Sequence, residues 1–165
     1  MSRYQLAQLN IATLKAPLDN PIMAEFVANL DRINSLADQS PGFVWRLQSD
    51  QGDATELRPF GDEILVNLSV WQDVDALRQY VYRSAHTEIM RHRKQWFERM
   101  TEAYMVLWWI PTGHRPDPVE AKARLELLKQ HGPTPEAFSF RHPFPAPDAE
   151  STPNPAGFTD QCPAL

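Results

Sequence analysis

The sequence predicts an α+β fold with the element order βαββαβ, and three observations carry that reading. Four short segments have the two-residue alternation or the apolar density of strands. Two segments keep a helical apolar stripe, and they fall after the first and third strands. Such an order gives a four-stranded antiparallel sheet with two helices on one face, the ferredoxin-like arrangement. A further C-terminal helix and a proline-rich tail follow, and 165 residues suit one hydrophobic core.

The first strand is expected over Tyr4 to Ala12, where Ala7, Leu9 and Ile11 alternate with Gln8 and Asn10. Pro17, Asn20 and Pro21 punctuate its exit, with Asn20 placed to cap a helix that has Pro21 at its first position. Met23, Phe26, Val27, Leu30, Ile33, Asn34 and Ala37 then keep a helical stripe that stops at Ser40-Pro41-Gly42. The aromatic and β-branched run FVWRLQ, from Phe43 to Gln48, reads as the second strand. A long hairpin connection runs to Gly61. In the third strand Ile64, Val66, Leu68 and Val70 face one way, and Leu65, Asn67, Ser69 and Trp71 the other.

Asp73 caps the next helix, which the pattern extends through Val74, Leu77 and Val81 towards Met100 with a bend near Ser84. That helix would carry His86, Arg91, His92, Arg93 and Trp96. The continuous apolar run YMVLWWI, from Tyr104 to Ile110, is a buried fourth strand stopped by Pro111. Val119 to His131 form the third helix, an appendage to the repeat, with Ala121, Leu125 and Leu128 inward and Gly132-Pro133 closing it. Of the fifteen prolines many crowd into the C-terminal stretch. Phe138, Phe140 and Phe144 are placed to pin its first half, so a domain over 1–147 and a flexible tail over 148–165 are expected.

A formal net charge of -5 gives no basic footprint for nucleic acid. The single cysteine, Cys162, has no internal partner for a disulfide, which suits a reducing, cytoplasmic setting. No apolar stretch approaches the ~18 residues of a membrane span, and the first residues hold no signal-type apolar region. A metal-ligand triad, a glycine-rich phosphate loop, a Ser-His-Asp order and a CxxC pair are all missing, so no metal site is expected. Two helices on one sheet face leave the other to be covered, and a partner subunit is the economical cover, which predicts an isologous homodimer.

The run VNLSVWQDVDALRQYVYRSAHTEIM resembles the strand-turn-helix signature of the dimeric α/β-barrel superfamily. Antibiotic-biosynthesis monooxygenases, haem-degrading monooxygenases, aldoxime dehydratases and chlorite dismutases belong to that superfamily. LAQLNIA, PGFVWRLQ, VNLSVW and AYMVLWWIPTGHRPDPVEAKARLELLKQHGPTPEAFSF are similar to a bacterial family known as domain of unknown function thirty-two ninety-one. This second resemblance spans residue 3 to about residue 147 and is silent about chemistry.

The superfamily implies a ligand cavity between sheet and helices that takes a small hydrophobic or aromatic molecule. Gln8, Asn10, Asn67 and Ser69 alternate on the two central strands and form one polar patch, with Arg46 at its margin. They are either donors and acceptors for a ligand or groups that satisfy one another, water or a dimer partner. The haem-degrading members imply Asn10 and the helical aromatic Tyr80 beside haem, with His86 or His92 as axial ligand, although neither histidine has the family's spacing. The cofactor-free monooxygenases imply Asn10, Trp71, Tyr80 and His86 acting on a substrate anion that reacts directly with oxygen. His86 has the alternative of bonding backbone or Glu88. Arg91, His92, Arg93, Lys94 and Arg99 offer an anion site or, with nearby glutamates, a solvated face. The functional expectation is therefore a monooxygenase-like oxidoreductase, with or without haem. A non-catalytic ligand-binding or structural homodimer is the alternative.

Overall fold

A computed structural model describes residues 2–49, 53, 55, 57–82, 91–100 and 102–149. Its elements are β1 (Tyr4–Thr13), a 3-10 turn (Pro21–Met23), α1 (Ala24–Asp38), β2 (Phe43–Arg46), β3 (Ile64–Trp71), α2 (Val74–Val81), α3 (Arg93–Trp96), β4 (Met105–Pro111) and α4 (Pro118–His131). The sheet order is β2-β3-β1-β4, with every pairing antiparallel, so the ferredoxin-like order stands. β1 and β3 are the central pair, and both are buried along most of their length.

Local chemistry sets the helix starts. The Asn20 side chain accepts from the Ile22 N–H, and Pro21 opens the 3-10 turn that runs into α1. Asp73 accepts from the Ala76 N–H to start α2, and Asp117 accepts from the Glu120 N–H with Pro118 leading α4. Gly42 joins α1 to β2 at φ 84°, and its carbonyl accepts the Gln72 N–H at 2.7 Å. A Cβ there would sit 2.4 Å from the Ala76 Cβ, so the glycine lets β2 approach the first turn of α2.

Two expectations are corrected. Among the described residues, the helix expected from Asp73 towards Met100 comprises α2, ending at Val81, and the short α3, which stops at Trp96; the expected bend near Ser84 lies outside them. Phe97 leaves α3 in extended backbone and bridges Leu14; Glu98 N–H donates to the Thr13 carbonyl at 2.8 Å, and Lys15 N–H to the Trp96 carbonyl at 2.8 Å. Pairing with the end of β1 thus overrides the helical period, and the Phe97 ring packs edge-on against Phe26, 5.1 Å between centroids.

The second correction concerns the sheet face away from α1 and α2. Ala7, Leu9 and Ile11 of β1, Val66, Leu68 and Val70 of β3, and Val106, Trp108 and Ile110 of β4 form one core with Ala121, Leu125 and Leu128 of α4. None of these residues is more than 8% exposed within one chain. Leu57 and Phe60, from the β2–β3 connection, pack against the same core. The helix expected as an appendage is therefore the second layer, and this face does not wait for a partner. Glu120 fastens it: one carboxylate oxygen accepts the Trp108 indole N–H at 3.0 Å, and the other lies 2.6 Å from His114 Nε2.

Past α4 the chain becomes a strap. Phe138 is fully buried and exchanges two backbone hydrogen bonds with Leu107, covering the free edge of β4. Phe140 is buried with it, and the Phe144 carbonyl accepts the Trp109 indole N–H at 2.9 Å. Asp148 accepts from the Ser2 hydroxyl at 2.9 Å and from the Arg3 N–H at 2.8 Å, tying the strap to the start of β1. The remainder of the expected tail, 150–165, lies outside the described residues. No helix among the described residues is long and apolar enough to cross a membrane.

Gly42→Ala combines the disfavoured φ with the clash on Ala76. It is expected to lower unfolding stability by about 2 kcal/mol or more, read as a fall in the urea midpoint at unchanged slope.

Candidate functional site

The register of β1 with its neighbours stacks three rows on the sheet face beneath α1 and α2. Trp71, Leu6 and Trp109 form the first, Ser69, Gln8 and Leu107 the second, and Asn67, Asn10 and Met105 the third. The second and third rows are polar at their β1 and β3 positions. Gln8, Asn10, Asn67 and Ser69 are all buried, none above 5% exposed, so the four residues expected to share a face do share it, under the helices.

Most of this polarity is internally paired. Gln8 Nε2 donates to the Asn67 side-chain carbonyl and, at 3.0 Å, to the Ser69 hydroxyl. The Trp71 indole N–H donates to the same hydroxyl at 2.9 Å. Trp71 also stacks on Tyr80 of α2, with ring centroids 5.1 Å apart and planes 25° apart, while the Tyr80 hydroxyl donates to the Ile33 carbonyl of α1 at 3.4 Å. Sheet and both helices are joined through that indole.

Asn10 is the exception. It is fully buried, yet among the described residues neither its side-chain oxygen nor its nitrogen has a hydrogen-bond partner, and Gln8 Oε1 beside it has none either. A buried amide group without a partner costs about 1–3 kcal/mol, so three such atoms on adjacent rows call for an explanation beyond stability.

The remaining candidates lie elsewhere. Arg46 stands opposite Ser69 in the register, but its guanidinium is held by Asp38 at the end of α1, Nε to Oδ1 2.8 Å. His92 is half-buried at the start of α3, its Nδ1 3.4 Å from Gln95 Nε2 and its ring 6.2 Å from that of Trp96, both residues of its own helix. Arg93 lies over the Phe97 and Tyr104 rings, at 5.6 and 5.1 Å, which turns part of the basic face into cation-π packing. His86 lies outside the described residues.

Haem fits the described row poorly. Its donors are neutral amides, a hydroxyl and an indole, whereas haem iron takes imidazole, thiolate, thioether or phenolate, and the one phenol, Tyr80, is turned to α1. Among the described residues no group of three His, Cys, Asp or Glu is placed to hold a metal ion.

The sequence reading missed a groove of about 1040 Å³ at the Trp71 end of the sheet. The turn into α2, the start of β2, Trp109 and the strap around Phe144 form its walls. Phe43 lines it and packs edge-on against Trp71, 5.3 Å between centroids at 81°, so this ring pair links the groove to the polar row. Phe43, Trp109 and Phe144 were all visible as aromatics; that a strap from the far end of the chain brings them together was not.

The fold and the buried row together define a ferredoxin-like α+β domain with an amide- and indole-lined face under its helices. The chain belongs to the family described as "Domain of unknown function (DUF3291)", whose model matches residues 5–154. Among solved structures, it is similar to SnoaB, a cofactor-independent oxygenase from Streptomyces nogalater, at 18% identity and a TM-score of 0.44, covering 71% of this chain and 99% of that one. A protein of unknown function from Nitrosomonas europaea matches at 13% identity and a TM-score of 0.43, covering 70% and 96%. A protein from Mycobacterium tuberculosis matches at 11% identity and 0.44, covering 68% and 99%. No curated protein matches the chain.

Ser69→Ala removes the acceptor shared by Gln8 and Trp71. The expected loss is about 2 kcal/mol of unfolding stability, with a change in tryptophan emission as the Trp71 indole loses its partner; unchanged emission would count against this role for Ser69.

Proposed function

We propose that the chain is a cofactor-independent oxygenase that takes a small hydroxylated or keto aromatic into the layer between sheet and helices. The observation that supports it is Asn10, a fully buried amide with donor and acceptor both unpartnered. The signature VNLSVWQDVDAL, with its resemblance to the monooxygenase superfamily, agrees with it.

In this reading the substrate is a carbon acid activated by an adjacent carbonyl, as in anthrone. A base removes the proton from carbon; His86 is the residue proposed for that role. Negative charge then develops on the carbonyl oxygen, where the Asn10 N–H is the donor, while Trp71 and Tyr80 supply aromatic packing for the ring system. The anion gives one electron to dioxygen, the radical pair combines as a carbon-bound peroxide, and loss of water leaves the new carbonyl. One substrate and one dioxygen thus become one quinone and one water, with no outside reductant.

Oxygen-electrode assays with anthrone test this. Protein-dependent oxygen uptake is expected, and Asn10→Ala is expected to lower kcat by about 10²–10³-fold, the usual effect of removing one oxyanion donor. Saturable anthrone binding without oxygen uptake would leave a ligand-binding protein in place of an enzyme.

A homodimer belongs to the same reading. Since α4 closes the second sheet face, a sheet-to-sheet dimer requires α4 to be displaced or exchanged between copies, or another surface to serve. Light scattering at micromolar concentration is expected to give twice the 18.9 kDa chain mass; a single-chain mass removes the dimer.

A further inference from the structure

We propose that the outer half of the strap, 141–149, is a gate: it opens and closes over the groove while the rest of the fold stays intact, and Asp148 is its latch. The strap is attached in two different ways. Its inner half is built into the sheet. Leu107 and Phe138 exchange backbone hydrogen bonds of 2.8 and 2.9 Å, and Ala137, Phe138 and Phe140 are buried. By register this pair continues the row of Ser69 and Gln8, so releasing it would disturb the core itself.

The outer half has no such pairing among the described residues. Pro143, Pro145 and Pro147 carry no N–H. The backbone hydrogen bonds of this segment close local turns, from the His142 N–H to the Ser139 carbonyl at 3.2 Å and from the Ala149 N–H to the Ala146 carbonyl at 2.9 Å. Side chains hold it to the body instead: the Trp109 indole N–H on the Phe144 carbonyl, the Phe144 ring 5.7 Å from that of Phe138, and the Asp148 carboxylate on the start of the chain. A segment with few hydrogen bonds and little buried surface opens at a free energy below that of global unfolding. Its alternate prolines keep it extended and semi-rigid, so it swings as a piece about the turn at Ser139 and His142 and recloses with little entropy to lose.

Asp148 sits near the end of this piece, away from the turn, where one tether has the most leverage. Its carboxylate accepts the Ser2 hydroxyl at 2.9 Å and the Arg3 N–H at 2.8 Å, with Arg3 Nε 3.9 Å away. The Arg3 N–H, and after it the Ser2 hydroxyl, hold the carboxyl below its usual pKa, so it is ionised at neutral pH and bonds as a charged acceptor. Phe144, Pro145, Ala146 and Asp148 line the groove together with Phe43, so lifting 141–149 widens it beside the ring that packs on Trp71. The gate stands whether or not the chain is an oxygenase.

Native-state hydrogen exchange of the full chain at neutral pH tests this, with the Trp109 indole N–H assigned through its loss in Trp109→Phe. Relative to its unstructured rate, the indole N–H is expected to exchange at least roughly tenfold faster than the Leu107 and Phe138 amides, which report the inner half. Asp148→Ala is expected to quicken the indole roughly tenfold further, and Asp148→Asn, which keeps one oxygen acceptor, about threefold. Both amides and the urea midpoint should stay where they are. Equal protection of all three protons, an indole unmoved by either substitution, or all three protons quickened together would overturn the gate.

Discussion

Everything in this molecule depends on β1 being covered on both faces. Leu6, Gln8, Asn10 and Ala12 point under α1 and α2, and Ala7, Leu9 and Ile11 point under α4, nearly all of them withdrawn from water. A strand in that position has no solvated side on which to place polar side chains. Its two buried amides must therefore be matched by other groups in the layer. The register meets part of that demand by setting Gln8 across from Ser69 and Asn10 across from Asn67. Gln8 uses both neighbours; Asn10 uses neither. One row along the same strand thus separates a paired amide from an unpaired one among the described residues.

The alternation in β1 and β3 made the two faces and the shared polar row legible, because a period of two leaves each side chain only one choice of face once the strand is granted. The caps were legible for a similar reason: Asn20, Asp73 and Asp117 act within three residues of themselves. What the sequence concealed is non-local. Val74 to Trp96 carries helical signals throughout, and nothing nearby says that Phe97 will leave for Leu14. In α4, Ala121, Leu125 and Leu128 mark an inward stripe, while Val119, 78% exposed at its start, blurs it; which surface the stripe meets depends on where β4 delivers the chain. The groove needs Asp148 to reach Ser2 and Arg3 across almost the whole sequence.

Trp71 connects the parts. Its indole N–H shares the Ser69 hydroxyl with Gln8, one face of the ring stacks on Tyr80, and its other neighbour, Phe43, looks into the groove. Gly42, immediately before Phe43, is the residue whose missing side chain lets β2 come close to α2. The link between outer groove and inner row therefore passes through a backbone choice as well as through two rings. A change at either place should be felt on both sides of the ring pair.

The described face beneath α1 and α2 carries amides, a hydroxyl, a phenol and indoles, and no formal charge; Arg46, the one ion at its margin, is neutralised by Asp38. A fixed cation there would hold an anionic ground state about as firmly as an anionic transition state, and would add little to a rate. Neutral dipoles already held in place respond differently. They interact weakly with an uncharged guest and strongly with charge that appears on it later, in surroundings where water cannot compete. In the oxygenase proposed above, an Asn10 without a partner among the described residues is the group that meets the charge developing on the substrate carbonyl.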